Sequence, residues 1–297
     1  MPFTLPSLSR RHFLGASAAA LAASYAWADD QAKADPHRFI LMADTHIHAQ
    51  PDFTARGINM SDHLTQTAKE VLALSKRASA AFVLGDLAFN EGKAEDYAQL
   101  VKLLEPLHAA GLPIHLLLGN HDHRERFWKG LPADDARQQD LAAKHVMRVQ
   151  APRANWFLLD SLDQTNKTPG VLGKEQLDWL AKELDANADK PALVCVHHNP
   201  DLRPMPGGLT DTQALYDVLL PRKQAKALFF GHSHNWELKQ QEGLHLINLP
   251  PVAYVFDKEK PAGYVELALA EDSALLKLST LQKDHPLQGN ETVLKWR

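Results

Sequence analysis

Five short segments of this chain carry residues able to hold a cation or move a proton: Asp44-Thr45-His46, Gly85-Asp86, Gly119-Asn120-His121-Asp122, His197-His198-Asn199-Pro200 and Gly231-His232-Ser233-His234. Asn120 offers a neutral oxygen ligand, His121 a nitrogen ligand or a proton, and Asp122 a carboxylate that can fix the tautomer of a histidine. Asp44 and His46 stand two apart at the end of an apolar run, so extended backbone would point both to one side and let them converge on one ion. His232 and His234 repeat that spacing. At Gly85-Asp86 the glycine permits a sharp turn that presents the carboxylate at the same edge as Asp44. Any one segment reads equally well as a polar turn or a structural histidine; five in one chain point to a metal site.

Each segment ends a run that reads as a buried strand, over residues 39–43, 81–84, 114–118, 192–196 and 226–230. Helices are predicted between them. Residues 62–76 place Leu64, Ala68, Val71 and Leu72 on one face, 95–107 place Leu100, Leu103, Leu104 and Leu107, and 175–184 place Leu177, Leu180, Ala181 and Leu184. Alternating strands and helices predict a parallel α/β layer, in which ligands gather beyond the carboxyl ends of the strands. Residues 156–160, 244–249, 263–268 and 275–281 also have strand character, with Glu271-Asp272-Ser273 as a hairpin turn. From 123 to 150 the periodicity weakens, which reads as an insertion near the site.

The 297 residues carry a formal charge of −4 and one cysteine, Cys195, which lies in an apolar run and reads as a buried small hydrophobe. No basic stripe tracks a nucleic acid backbone. At the start, Arg10-Arg11 precede an alanine-rich apolar stretch, and Ala26-Trp27-Ala28 supplies a small-x-small cleavage pattern. Residues 1–28 therefore resemble a twin-arginine export signal, too short in its apolar part for the ~20 residues of a membrane span. Cleavage would leave a chain of charge about −6, periplasmic or extracellular, with 29–38 as a polar linker and 39–297 as one domain. Twin-arginine export carries folded proteins, which suits an enzyme loaded with metal beforehand.

Taken in order, Asp-x-His, Gly-Asp, Gly-Asn-His-Asp, His and Gly-His-x-His resemble the motifs of the calcineurin-like metallophosphoesterase superfamily, over residues 39–249. The resemblance implies a four-layer α-β-β-α sandwich of two mixed sheets flanked by helices. It implies two divalent metal ions, with Asp44, His46 and His234 on the first, Asn120, His197 and His232 on the second, and Asp86 bridging. Two cations about 3.5–4 Å apart need a shared carboxylate and lower the pKa of a bridging water, so that hydroxide attacks phosphorus in line with the leaving oxygen. His121 is assigned the proton for that oxygen, oriented by Asp122 or another nearby acid.

Gly85 to Asn90, the stretch from Gly119 to Arg124 and the long loop after His197 look most like the class III cyclic-nucleotide and glycerophosphodiester phosphodiesterases. Phe89 stands where purple acid phosphatases carry a tyrosine ligand, so ferric tyrosinate chemistry is excluded; Mn, Fe, Zn and Co all suit the mixed N/O ligands. His123 stands where that branch often has Asp, which either alters substrate contacts or is neutral. His48 and His198 read as supporting residues, Arg124 and Arg203 as surface ion pairs or phosphate binders, and residues 204–209 as a loop over the site. The expected substrate is a small phosphodiester, with a phosphomonoester or nucleotide pyrophosphate as the alternative within the same chemistry. A DNA exonuclease shares the motifs, but the acidic chain opposes it. From another class comes an inactive metal- or phosphate-binding protein, whose mark would be a missing ligand or a replaced His121; neither occurs.

Overall fold

Strand β1 (Asp35–Met42) shows how the layers arise. Phe39 and Leu41 enter one core while Ile40 and Met42 enter another, because successive side chains of a strand point to opposite faces. A strand covered on both faces reads as an unbroken apolar run, which is why the run over 39–43 carried no alternation.

The computed structural model describes residues 34–131, 141–202 and 207–297. The expected leader, the middle of the expected insertion, Arg203 and residues 204–206 lie outside them. After β1 come the hairpin β2 (Thr54–Ala55) and β3 (Ile58–Asn59), helix α1 (Met60–Leu72), β4 (Ala78–Leu84), α2 (Ala94–Ala109), β5 (Ile114–Leu117) and α3 (Arg124–Gly130). Then follow β6 (Met147–Gln150), β7 (Asn155–Leu158), α4 (Lys174–Ala186), β8 (Ala192–Cys195), α5 (Thr212–Leu219) and β9 (Ala225–Phe230). The chain closes with β10 (Glu237–Gln241), β11 (Leu244–Asn248), β12 (Gly263–Leu269), β13 (Ser273–Thr280) and β14 (Glu291–Lys295).

One sheet runs β14-β13-β12-β1-β4-β5, with β1, β4 and β5 parallel. The other runs β10-β11-β9-β8-β7-β6, with β11, β9, β8 and β7 parallel and antiparallel strands at both edges. Helices α1, α2 and α3 cover the outer face of the first through Leu64, Leu100 and Phe127, and α4 and α5 cover the second through Leu180 and Leu215. Between the sheets, Phe82 stacks on Trp156 with ring centroids 4.4 Å apart, and Phe39 and Phe229 pack beside them. Each such buried side chain stabilises by about 1.5–3 kcal/mol. This is the expected four-layer sandwich, and Cys195 lies in its middle core as a buried hydrophobe.

Four local readings need correction. Strand β1 begins at Asp35, whose backbone pairs with Ala78, so the last residues of the expected linker are strand. Helix α1 starts earlier, because Asn59 caps it by accepting from Asp62 N (3.1 Å), and it stops at Leu72, which is 44% exposed and leaves the apolar face. The ends of the stretch from 123 to 150 belong to the fold, as α3 and as an edge strand of the second sheet. Strands β10 and β14 escaped prediction because they are edges with polar, part-exposed outer faces.

Candidate metal centre

The loops after β1, β4, β5, β8 and β9 converge at one end of the sandwich. Past β1 the backbone keeps its parallel pairing, with Asp44 N donating to Gly85 O (3.1 Å) and His46 N to Asp86 O (2.8 Å). The side chains do not follow strand geometry. Asp44, His46, Asp86, His232 and His234 all have positive φ, between 46° and 68°, a left-handed backbone that costs an L-residue roughly 1–2 kcal/mol and gathers at functional sites. The expected convergence of i, i+2 pairs along an extended strand is therefore wrong in mechanism. It also fails for one pair: His234 joins Asp44 and His46, whereas His232 joins His197 and His198.

Asp86 lies between the two groups. Its Oδ2 is 3.5 Å from His46 Nε2 and its Oδ1 is 3.3 Å from His197 Nε2. On one side, His46 Nε2 and His234 Nε2 are 3.0 Å apart, and His234 Nε2 is 3.7 Å from Asp44 Oδ1. On the other, Asn120 Oδ1 is 3.3 Å from His197 Nε2. All seven expected metal ligands thus meet around one carboxylate, beside a cleft of about 440 Å³.

The remaining ring nitrogens settle whether these residues suit cations. Nδ1–H of His46 donates to Phe89 O (3.2 Å), that of His197 to Leu84 O (2.7 Å) and that of His234 to Tyr254 O (2.5 Å). A carbonyl only accepts, so Nδ1 holds the proton and Nε2 can turn a lone pair inward, the tautomer of a metal-ligating histidine. His232 bonds the Gly207 carbonyl and leaves its Nδ1 buried without a partner. Two inward lone pairs 3.0 Å apart, on His46 and His234, repel each other unless a cation sits against both. The donor set fits divalent ions that accept mixed nitrogen and oxygen ligands.

The electrostatics agree. Burial pulls His46 down to about 3 and His232 and His234 to about 4, so these rings are neutral. Burial pushes Asp44 up to about 8. Burial also opposes the charges of Asp86 and His197, but their mutual attraction wins, raising His197 to about 9 and holding Asp86 well below its ordinary value. Without cations the site keeps protons that cations would displace.

Two glycines allow this crowding. A Cβ on Gly119 would lie 2.2 Å from Asp86 Oδ1, and one on Gly231 would lie 2.5 Å from Asp44 Oδ2. Each glycine motif thus leaves room for the carboxylate of a neighbouring loop.

Several neighbours behave differently from expectation. Asp122 does not orient His121. Its buried carboxylate accepts from Gly119 N (2.8 Å), Leu87 N (3.1 Å), Ala88 N (3.1 Å) and Tyr97 Oη (3.1 Å), bracing two of the ligand loops. The partner of His121 is instead the carbonyl of Asn90, 2.9 Å from Nδ1. Arg124 pairs with the buried Asp160 through two bonds of 2.7 and 3.1 Å, which makes it an internal anchor. His123 caps α3 through its side chain, a place where Asp serves equally well, so the family difference has a structural equivalent. His48 stacks on Phe53 (4.0 Å) and meets Phe89 edge-on. His198 Nδ1 and Ser161 Oγ are hydrogen-bonded at 2.7 Å, which fixes the buried ring. The rim residues Arg56, Tyr254 and Phe256 were missed: Tyr254 stacks on His46, Phe256 on His234, and Arg56 lies over Phe256 at 4.8 Å. They sit on loops outside every motif and leave no periodic signal.

Comparison with known proteins adds four findings. The calcineurin-like phosphoesterase family model matches residues 37–236. The chain is 28% identical over 253 residues to a 3',5'-cyclic adenosine monophosphate phosphodiesterase, CpdA of Pseudomonas aeruginosa, covering 80% of this chain and 86% of that protein. It is 26% identical to the 3',5'-cyclic-nucleotide phosphodiesterase alr5338 of Nostoc sp., over 73% and 79% of the two chains. Among solved structures, a dimetal phosphatase from Danio rerio superposes with a TM-score of 0.67 at 17% identity, over 89% of this chain and 100% of that one. A likeness at that identity speaks for the fold.

Proposed function

The chain belongs to the calcineurin-like phosphoesterase family and is a metal-dependent phosphoester hydrolase, and from that premise we propose that it cleaves small soluble phosphodiesters, of cyclic-nucleotide type, at a two-cation centre. The observation that carries this reading is the position of Asp86, one oxygen toward His46 and the other toward His197. Asp44, His46 and His234 would hold one ion, Asn120, His197 and His232 the other, and Asp86 would serve both. Two cations bound there would supply an activated water at neutral pH and offset the charge that builds on the phosphate oxygens.

The chain's own groups do the rest. Carbonyls of Leu84, Phe89 and Tyr254 lock the ligand tautomers, so little reorganisation is needed when substrate arrives. His121, half-buried, donates Nδ1–H to Asn90 O and gives the proton on Nε2 to the leaving ribose oxygen as the ester bond breaks. Its open side lets it regain a proton from solvent. The curated relatives named above act on cyclic nucleotides, which favours that diester class here.

Paired Arg10-Arg11 and the Ala26-Trp27-Ala28 pattern support a reading of residues 1–28 as a leader for twin-arginine export to the periplasm or beyond. Among the described residues no helix is long and apolar enough to cross a membrane. Amino-terminal sequencing of the exported protein should begin near Asp29; an intact leader in a cytoplasmic fraction would refute export.

The activity is tested on protein stripped with chelator and reloaded separately with Mn, Zn, Co and Fe. Turnover of bis(p-nitrophenyl) phosphate should exceed that of p-nitrophenyl phosphate with at least one metal. A preference for the monoester would make the protein a phosphatase, and no turnover of either with any metal would contradict the reading.

A further inference from the structure

A second cleft of about 540 Å³ adjoins the candidate centre and shares Asn199, Ser233, His234 and Phe256 with it. Its floor comes from Phe230 of β9 and from strands β10 and β11, and its walls come from Leu202 and Phe256. Among the described residues only four large hydrophobic side chains are strongly exposed, and two of them, Leu202 (53%) and Phe256 (55%), line this one cleft. Single exposed apolar residues need no explanation, but a pair of them facing one cleft marks a binding surface.

The polar side of the cleft is equally specific. Asn235 Oδ1 is buried and has no hydrogen-bond partner. Its neighbour Asn248 is satisfied: with its amide nitrogen toward the carbonyls of Asn235 and Gly231 (3.2 Å each), its oxygen accepts from Ser233 Oγ. A buried acceptor left unpaired costs about 1–3 kcal/mol, a cost removed when a ligand brings an N–H. The cleft therefore offers apolar walls and a waiting acceptor, within one residue of His234.

We propose that this cleft holds the nucleobase of a nucleotide ester, packed against Leu202 and the exposed rim of Phe256, with an exocyclic amino group donating to Asn235. The inference rests on the phosphodiesterase reading and narrows it, since a glycerol-based ester has neither a flat ring nor an aromatic amine. An adenine base fits both requirements.

The test uses the metal-loaded full chain. First, calorimetry compares AMP with ribose 5-phosphate, which differ by the base; AMP should bind at least tenfold more tightly, and equal affinities would overturn the pocket. Second, kcat/KM is measured for 3',5'-cyclic AMP, for the cyclic phosphate of purine riboside, which lacks the amine, and for bis(p-nitrophenyl) phosphate. The native enzyme should favour cyclic AMP over the deaminated analogue by about tenfold through KM, the worth of one hydrogen bond. Asn235→Leu should erase that preference and leave bis(p-nitrophenyl) phosphate within about twofold. Asn235→Ala repeats the test should the leucine disturb folding. A native enzyme that cleaves bis(p-nitrophenyl) phosphate but treats the two cyclic esters alike defeats the pocket and spares the phosphodiesterase reading. An enzyme that cleaves no diester at all defeats both.

Discussion

His46, His197 and His234 each commit Nδ1 to a backbone carbonyl and lie almost wholly buried, whereas His121, Arg56 and Phe256 stand at the mouth, part-exposed or exposed, on few contacts. The floor is fixed before any ligand arrives; the mouth can adapt. That division suits a site whose metal chemistry is constant and whose substrate recognition depends on loops. Two stretches of equal spacing make the same point: Asp44 and His46 stay in one group, while His232 and His234 part into two. Spacing brings ligands near the centre, and the backbone and its carbonyl partners decide which side each one serves.

The sharpest way to break this contrast is to remove the shared carboxylate. Asp86→Ala should lower turnover on the order of 10³-fold and reduce bound metal, since neither group keeps a common anion; unchanged metal content by elemental analysis would show that the floor does not act as a unit. Next comes the brace beneath it. Asp122→Ala strands the amides of Leu87, Ala88 and Gly119 in the interior and should cost about 3–5 kcal/mol in urea unfolding. A loss under about 1 kcal/mol would mean that the ligand loops hold themselves.

At the mouth, effects should depend on substrate. His121→Ala should slow diesters with alkyl leaving groups by about 10²-fold or more and p-nitrophenyl esters by less than tenfold, because nitrophenolate leaves without a proton. Equal losses on both would assign His121 to binding. A milder lever is pH. In the stripped protein Asp44 is raised to about 8 and His197 to about 9, so below those values protons compete with cations. Affinity for metal should therefore rise between pH 6 and 8, by up to about tenfold per pH unit for each proton displaced, with proton release visible as a buffer-dependent heat. Smallest of all, Cys195 is buried with its thiol pushed up in pKa; it should resist a thiol reagent until the protein unfolds, and prompt labelling would place it outside the core.

Much of the floor was legible in the sequence, and for a physical reason. Parallel strands covered on both faces leave unbroken apolar runs, and the residues that end them mark one edge of the sheets. Edge strands such as β10 and β14 carry no such run. The left-handed backbone at Asp44 and His234 was invisible, because it is imposed by packing and by bonds between loops distant in sequence. Carbonyl partners such as Phe89, Tyr254 and Asn90 act through atoms that every residue possesses, so no side-chain pattern announces them. That is why the expected partner of His121 was a carboxylate, Asp122 or another nearby acid, and not the carbonyl of Asn90.

The most direct test of the account is a count of metal ions in the native protein, purified without chelator and set against turnover of bis(p-nitrophenyl) phosphate during stepwise reloading. Two ions per chain are expected, with activity that follows the second. One ion at full activity, or activity that persists after complete stripping, would contradict a centre shared through Asp86.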